Sequence, residues 1–181
     1  MGLASVGEIL WNASSTTDSV AAMVAEGATI GIAGRKVSRN IAVEDLNTGP
    51  GKTTLAKGEL VESVYLPSRP SGSSDAYLRF IPRTEMDIAV VGVGVSLTLD
   101  GSGTCTAARV GLGAVAPTVL LVEDAAKALI GTKCDDAALD AAAAACSAAA
   151  NPIDDKRGTV DYRIKVAGVL ARRAAAIARD R

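Results

Sequence analysis

Between Ala89 and Leu99 the chain alternates strictly. Val91, Val93, Val95, Leu97 and Leu99 fall on one side, and Gly92, Gly94 and Ser96 on the other. A period of two sends successive side chains to opposite faces of a sheet, whereas a helix would scatter these residues around its axis. The segment is therefore expected to be a β-strand with a branched apolar face turned to a core. Its bare opposite face leaves room for a second element to come close to the backbone. Ala76 to Ile81 reads as the strand before it. The turn residues Asp100-Gly101-Ser102-Gly103 lead to a strand after it, Cys105 to Val115. Three strands joined in this way form an antiparallel meander.

Beyond Pro117 the pattern changes to alanine-rich helical segments, near Val122–Ile130, Asp135–Ala150 and Val160–Ala178. Asn151-Pro152 ends the second, because a residue before proline is driven out of the α region. In the third, Val166, Leu170, Ala174 and Ile177 share one stripe. Ahead of the meander, a helix from Ser19 to Glu26 is closed by Gly27. Strands near Ala28–Ala33 and Val37–Val43 are joined by Gly34-Arg35-Lys36, a hairpin signature. Asn47–Lys57 reads as a loop, and Leu60–Leu66 as a strand stopped by Pro67. Ser68-Arg69-Pro70-Ser71-Gly72-Ser73-Ser74 has the composition of a linker. The class is α+β, with a partial region over 1–70 and a second domain over 71–181 built from the three-stranded sheet and a helical cluster.

Composition narrows the chemistry. Lys and Arg number 19 against 20 Asp and Glu, a net charge of −1, and only 3% of residues are aromatic. No nucleic-acid partner is expected from a chain with neither basic excess nor stacking surface. There is no histidine, which removes every Ser–His and Cys–His nucleophile pair and any imidazole metal site. The three cysteines, Cys105, Cys134 and Cys146, stand outside any CxxC spacing and suit a reducing compartment. With no signal sequence at Met1 and no apolar run of membrane-spanning length, a cytoplasmic protein with no membrane partner is expected.

Several motifs resolve into structural roles. Gly49-Pro50-Gly51-Lys52-Thr53 lacks the leading glycine of a phosphate-binding loop, since Leu46 holds that position, and it reads as a surface turn. Gly111-Leu112-Gly113-Ala114-Val115-Ala116 runs into Pro117 with no βαβ unit around it, so it belongs to a sheet. Asp135-Asp136 and Asp154-Asp155 read as helix caps. Asp87 opens a strand, and the basic C-terminal helix reads as a solvated face. The N-terminal stretch Ala4-Ser5-Val6-Gly7 combines a hydroxyl with small residues that would let backbone N–H groups approach an anion such as a pyrophosphate. Asn12 to Asp18 follows, and Asp18 could either accept from a sugar or ribityl hydroxyl or serve as the N-cap of the next helix.

Together these segments resemble the FAD-binding medium subunit of the molybdenum hydroxylases, the xanthine dehydrogenase and carbon monoxide dehydrogenase family. The resemblance covers nearly the whole chain. Ser5-Val6-Gly7 opens the family's [ST]-[VI]-G-G-N motif, and Asp18 stands at the spacing of its Asn-Ala-Ser-Pro-x-x-Asp continuation. Thr48-Gly49-Pro50-Gly51-Lys52-Thr53, Gly58-Glu59-Leu60, Leu66-Pro67, Ala76-Tyr77-Leu78-Arg79-Phe80, Met86-Asp87-Ile88-Ala89, Leu112 to Pro117, and Pro152-Ile153-Asp154-Asp155-x-Arg157-Gly158 follow in the family's order.

The resemblance implies FAD as cofactor, with Ser5, Val6, Gly7 and Asp18 holding it, Val61 beside the flavin and Arg79 near the isoalloxazine ring in place of the family's lysine. It implies no catalytic acid, base or nucleophile on this chain, and electron transfer within an assembly containing molybdopterin and iron–sulfur subunits. Two departures stand out. Glu8 and Ile9 replace the motif's second glycine and its asparagine, bringing negative charge and an apolar side chain to the cradle. The family's first glycine-rich loop is absent, so the chain is expected to be N-terminally truncated, with the other half of the pocket supplied by another chain. The alternative is a flavin-free relative acting as a small-ligand-binding protein, a non-redox enzyme such as a cyclase, or an oligomerising scaffold, possible as a homo-oligomer.

Overall fold

The structure, a computed structural model, describes residues 6–35, 38–83 and 87–181. Ser5, Lys36, Val37 and Met86, and the side chain of Glu8, lie outside the described residues. Two helices open the fold, α1 (Val6–Trp11) and α2 (Asp18–Ala25). Strands β1 (Thr29–Ala33) and β2 (Arg39–Ala42) form the expected hairpin. After a 3-10 turn at Val43–Asp45 come the short strands β3 (Asn47–Gly49) and β4 (Lys52–Thr53), then β5 (Leu60–Tyr65). β5 returns to β1 to make an antiparallel sheet in the order β2-β1-β5. Leu10, Val20, Val24, Ile30, Ile32, Val43 and Leu46 form the core of this region.

The second sheet is the meander, β6 (Ser73–Phe80), β7 (Val91–Leu99) and β8 (Cys105–Gly113), extended by the two-residue β9 (Leu120–Leu121). Helices α3 (Glu123–Leu129), α4 (Asp136–Ala149) and α5 (Val160–Arg179) follow. The β7 side chains Val91, Val93, Val95 and Leu97 are buried in one core with Leu129, Leu139, Ala167, Ala171 and Ala174 from the three helices. The glycine face receives α2. A Cβ at Gly94 would stand 2.7 Å from the carbonyl oxygen of Ala21, one at Gly111 would run into that same carbonyl, and one at Gly92 would meet the Tyr77 hydroxyl at 2.8 Å. The element expected against the bare face is thus the first long helix of the chain, lying with its backbone on the sheet.

Where the sequence reading and the structure differ, the cause is local. The segment at Asn47–Lys57 is not all loop, because Pro50-Gly51 turns β3 into β4, with Gly51 at φ +67°; its reading as a turn and not a phosphate loop holds. The meander gains a fourth strand too short to show periodicity. β6 begins three residues early, inside the expected linker. Its serines bond within the fold, Ser73 Oγ with Thr98 Oγ1 at 2.9 Å and Ser74 Oγ donating to the Ala178 carbonyl at 2.5 Å, so a serine-rich stretch here is strand. Asp135 caps α4, accepting from the Ala138 N–H at 3.0 Å, as expected. α5 is capped by Thr159, with Asp154 accepting from the Val160 N–H, while Asp155 serves elsewhere. Asp18 is not an N-cap. Thr17 holds that position and Asp18 lies in the first turn. The basic C-terminal helix spends part of its charge inside the chain, Arg172 pairing with both Asp136 and Asp140 at 2.7 Å.

Candidate functional site

Asp18 stands where α2 meets the end of the meander's first strand. Tyr77 and Arg79 are two apart on β6 and so share a face. The Arg79 guanidinium pairs with Asp18 Oδ2, and the Tyr77 hydroxyl donates to Asp18 Oδ1 at 3.3 Å. Burial, reinforced by the Asp18 charge, raises the Tyr77 phenol above its ordinary value, so Tyr77 remains a donor. Arg79 neutralises the carboxylate without using all its acceptor sites, leaving Asp18 able to accept from hydroxyl groups while repelling a neighbouring anion less.

A cleft of ≈ 370 Å³ lies beside this pair, lined by Ile9, Thr16–Ser19 and Asp87–Ala89. Asp87 is held there by two arginines. Its side chain is 3% exposed and accepts from Arg83 Nε at 3.1 Å and Arg157 Nε at 3.2 Å. The Arg83 bond foremost, with Arg157 assisting, draws its carboxyl down to about 2. A smaller cavity of ≈ 190 Å³ adjoins, sharing Thr16, Ile88 and Ala89 with the cleft. Its floor is the buried Arg163 of α5, which donates to the Val90 carbonyl at 3.0 Å, the Ala114 carbonyl at 3.4 Å and Asp155 at 2.7 Å.

The structure brings Asp18 and Arg79 into contact and sets them beside the cleft. Val6 and Gly7 lie in α1, whose Ile9 reaches the cleft wall. Val61 is opposite Ile32 on β5, packed on the core of the first region and away from the cleft lining. Ser5 lies outside the described residues. Sequence reasoning read Asp87 only as opening a strand and took the basic C-terminal helix as a solvated face. Asp87 and Arg157 each sit in a family motif, 70 residues apart, which was the available signal that they meet.

Residues 76–178 match the family model for the CO dehydrogenase flavoprotein C-terminal domain, and residues 3–69 that for the FAD-binding domain in molybdopterin dehydrogenase. The chain belongs to the flavoprotein family of the molybdenum hydroxylases. Among relatives of this family, it is 38% identical over 170 residues to the carbon monoxide dehydrogenase medium chain of Afipia carboxidovorans, covering 94% of this chain and 58% of that one. The glyceraldehyde dehydrogenase medium chain of Sulfolobus acidocaldarius is 28% identical, with 95% and 60% covered. A solved structure of reconstituted CO dehydrogenase from Oligotropha carboxidovorans superposes with a TM-score of 0.93 at 36% identity, over 98% of this chain and 61% of that chain. The chain thus spans about three fifths of the length of the flavoproteins it matches.

The residues present fit part of the family's FAD. At Gly7, among the described residues outside its own helix turn, no atom lies within 4 Å of where a Cβ would project. α2 starts without a side-chain cap, leaving first-turn N–H groups on the cleft wall with no side-chain acceptor, the arrangement that suits phosphate or sugar oxygens. The Asp18 carboxylate, bonded by Tyr77 and Arg79, keeps acceptor sites on the same wall. Ile9 is the misfit, an apolar side chain on the cleft lining where the family motif carries an asparagine.

Proposed function

We propose that these residues form the second half of a flavin pocket in the flavoprotein component of a molybdenum-hydroxylase-type oxidoreductase. On this reading Val6, Gly7 and the start of α2 position the cofactor's polar chain, and Asp18 accepts from its hydroxyls. Arg79 fixes the Asp18 carboxylate and carries positive charge to the same end of the cleft. FAD, when bound, supplies hydride and single-electron transfer between partner redox centres and an external acceptor. The chain's own residues bind, orient and neutralise. Ser5, outside the described residues, and Val61, on β5, complete the set that the family pattern assigns. The partners proposed are molybdopterin and iron–sulfur subunits, together with the polypeptide that closes the pocket.

The observation that carries this reading is Asp18, on the wall of the cleft and paired with Arg79, in a chain of this family. The test is titration of FAD, followed by quenching of its fluorescence. The probe added is the portion of the Afipia medium chain outside the matched stretch. Weak quenching by the chain alone and stoichiometric quenching with the added portion are expected. Ile9→Asn combined with Glu8→Gly should tighten FAD binding. Tight binding of one FAD by the isolated chain would overturn the half-pocket reading, and no binding by the combination and none by the double variant would overturn flavin binding itself.

A further inference from the structure

The space above Gly92 is filled by a single atom. Tyr77 on β6 is paired with Gly94 of β7, and its ring reaches along that strand to Gly92. A Cβ built at Gly92 would find the Tyr77 hydroxyl oxygen at 2.8 Å and two ring carbons at 3.5 and 3.6 Å. The first distance is too short for a methyl group, while the other two are ordinary van der Waals contacts. It is therefore the hydroxyl, and not the ring, that conflicts with any larger residue at this position.

The hydroxyl seated there donates to Asp18 Oδ1 at 3.3 Å, and the Arg79 guanidinium bonds Oδ2. With a separate donor on each oxygen, the carboxylate cannot turn about its last bond without breaking both contacts. Arg79 alone would hold it loosely. The Arg79 and Asp18 side chains are 34% and 39% exposed, and an ion pair this open to water contributes little and leaves a long side chain mobile. Tyr77 has only two rotatable side-chain bonds and packs against the core of the first region, so its hydroxyl is the better anchored donor.

We propose that Tyr77, seated on Gly92, is a positioning residue that fixes the Asp18 carboxylate on the cleft wall as an acceptor for the hydroxyls of a polyol chain. The inference deepens the half-pocket reading and rests on it for the ligand, whose polyol is the ribityl chain of FAD. A ring that merely filled space beside α2 would need neither the hydroxyl nor the glycine.

FAD affinity is measured by fluorescence quenching in the presence of the portion of the Afipia medium chain outside the matched stretch. Tyr77→Phe should weaken binding roughly fivefold. In an Asp18→Ala chain the same substitution should change nothing further, because its effect passes through the carboxylate. Gly92→Ala should reproduce the loss by driving the hydroxyl off Asp18. Combined with Tyr77→Phe it should add nothing, since the methyl group then meets only ring carbons at contact distance. Undiminished affinity in Tyr77→Phe would overturn the proposal. So would the same loss persisting in Asp18→Ala, which would assign Tyr77 a packing role, or a Gly92→Ala loss that survives Tyr77→Phe.

The contact is also read without flavin, from the carbon NMR signal of the Tyr77 ring carbon bearing the hydroxyl as pH is raised. The Asp18 charge adds to burial in keeping the phenol protonated, so Asp18→Asn should let Tyr77 ionise at lower pH. Identical titrations in the two proteins would overturn the proposal whether or not FAD binds. A shifted titration with no FAD bound by the wild-type chain and the added portion would leave the Tyr77–Asp18 clamp standing and refute the flavin reading alone.

Discussion

Asp87 buries its carboxylate between Arg83 and Arg157 and accepts a third bond from the Ile88 N–H at 2.9 Å. These bonds favour the charged form, Arg83 most, and take the carboxyl from the ordinary 3.8 to about 2. A carboxyl whose folded value is depressed stabilises the fold above its unfolded value and loses that contribution as pH falls through the folded one. Urea midpoints should therefore drop between about pH 4 and pH 2, and Asp87→Asn should flatten that drop while lowering the midpoint near neutral pH. A wild-type slope retained in Asp87→Asn would assign the acid sensitivity to other groups, Glu59 first, since Arg39 holds its carboxyl at about 2. At this scale the sequence offers residue types and spacing but not partners. Asp18 and Arg79 are 61 positions apart, and nothing in periodicity pairs them. Their joint role became legible only through the family pattern. Arg163 was illegible for a related reason. On a helix with cations along much of its length, one buried arginine has the same spacing as its solvated neighbours.

Among the elements, β7 was the most legible because both its faces carry information. The valine face specifies a core, and the glycine face specifies an approach of backbone to backbone, which α2 fulfils over Gly94 and Gly111. Gly111→Ala would force its methyl group into the Ala21 carbonyl, and overpacking of this kind costs about 1–3 kcal/mol. Gly101→Ala, in a turn with no neighbouring atom within 4 Å, should stay within about 0.5 kcal/mol of wild type. Chemical denaturation of the two variants checks the pair, and an unperturbed Gly111→Ala would mean that α2 sits further from the sheet. The long alanine helices were legible from length and from Pro152. The six residues of α1, the two of β4 and the two of β9 are too short for any period to emerge, and their positions are settled by neighbours distant in sequence.

For the molecule as a whole, the three thiols report on closure of the core. Cys105, Cys134 and Cys146 are all buried and free. Burial, with Cys134 close by, pushes the Cys105 thiol up to about 11, and burial alone pushes Cys146 up to about 12. An aromatic disulfide reagent near neutral pH should find no fast-reacting thiol in the native protein and three after unfolding in urea. Rapid release of even one equivalent would show that the helical layer opens readily. The two matched regions are also laced together. Arg109 of β8 donates to the Val24 carbonyl at 3.0 Å and to Glu44 at 2.8 Å, and Arg69 joins Glu26 to Asp75.

The seat of α2 on the glycine rows has a consequence for what counts as a part. The wall that closes the second sheet is encoded some seventy positions upstream of the strand it covers, on the far side of the Pro- and Ser-rich joint. Severing the polypeptide at that joint would divide the text without dividing the body. One fragment would lose the floor beneath its helix, and the other would bare a groove shaped for a backbone it no longer owns.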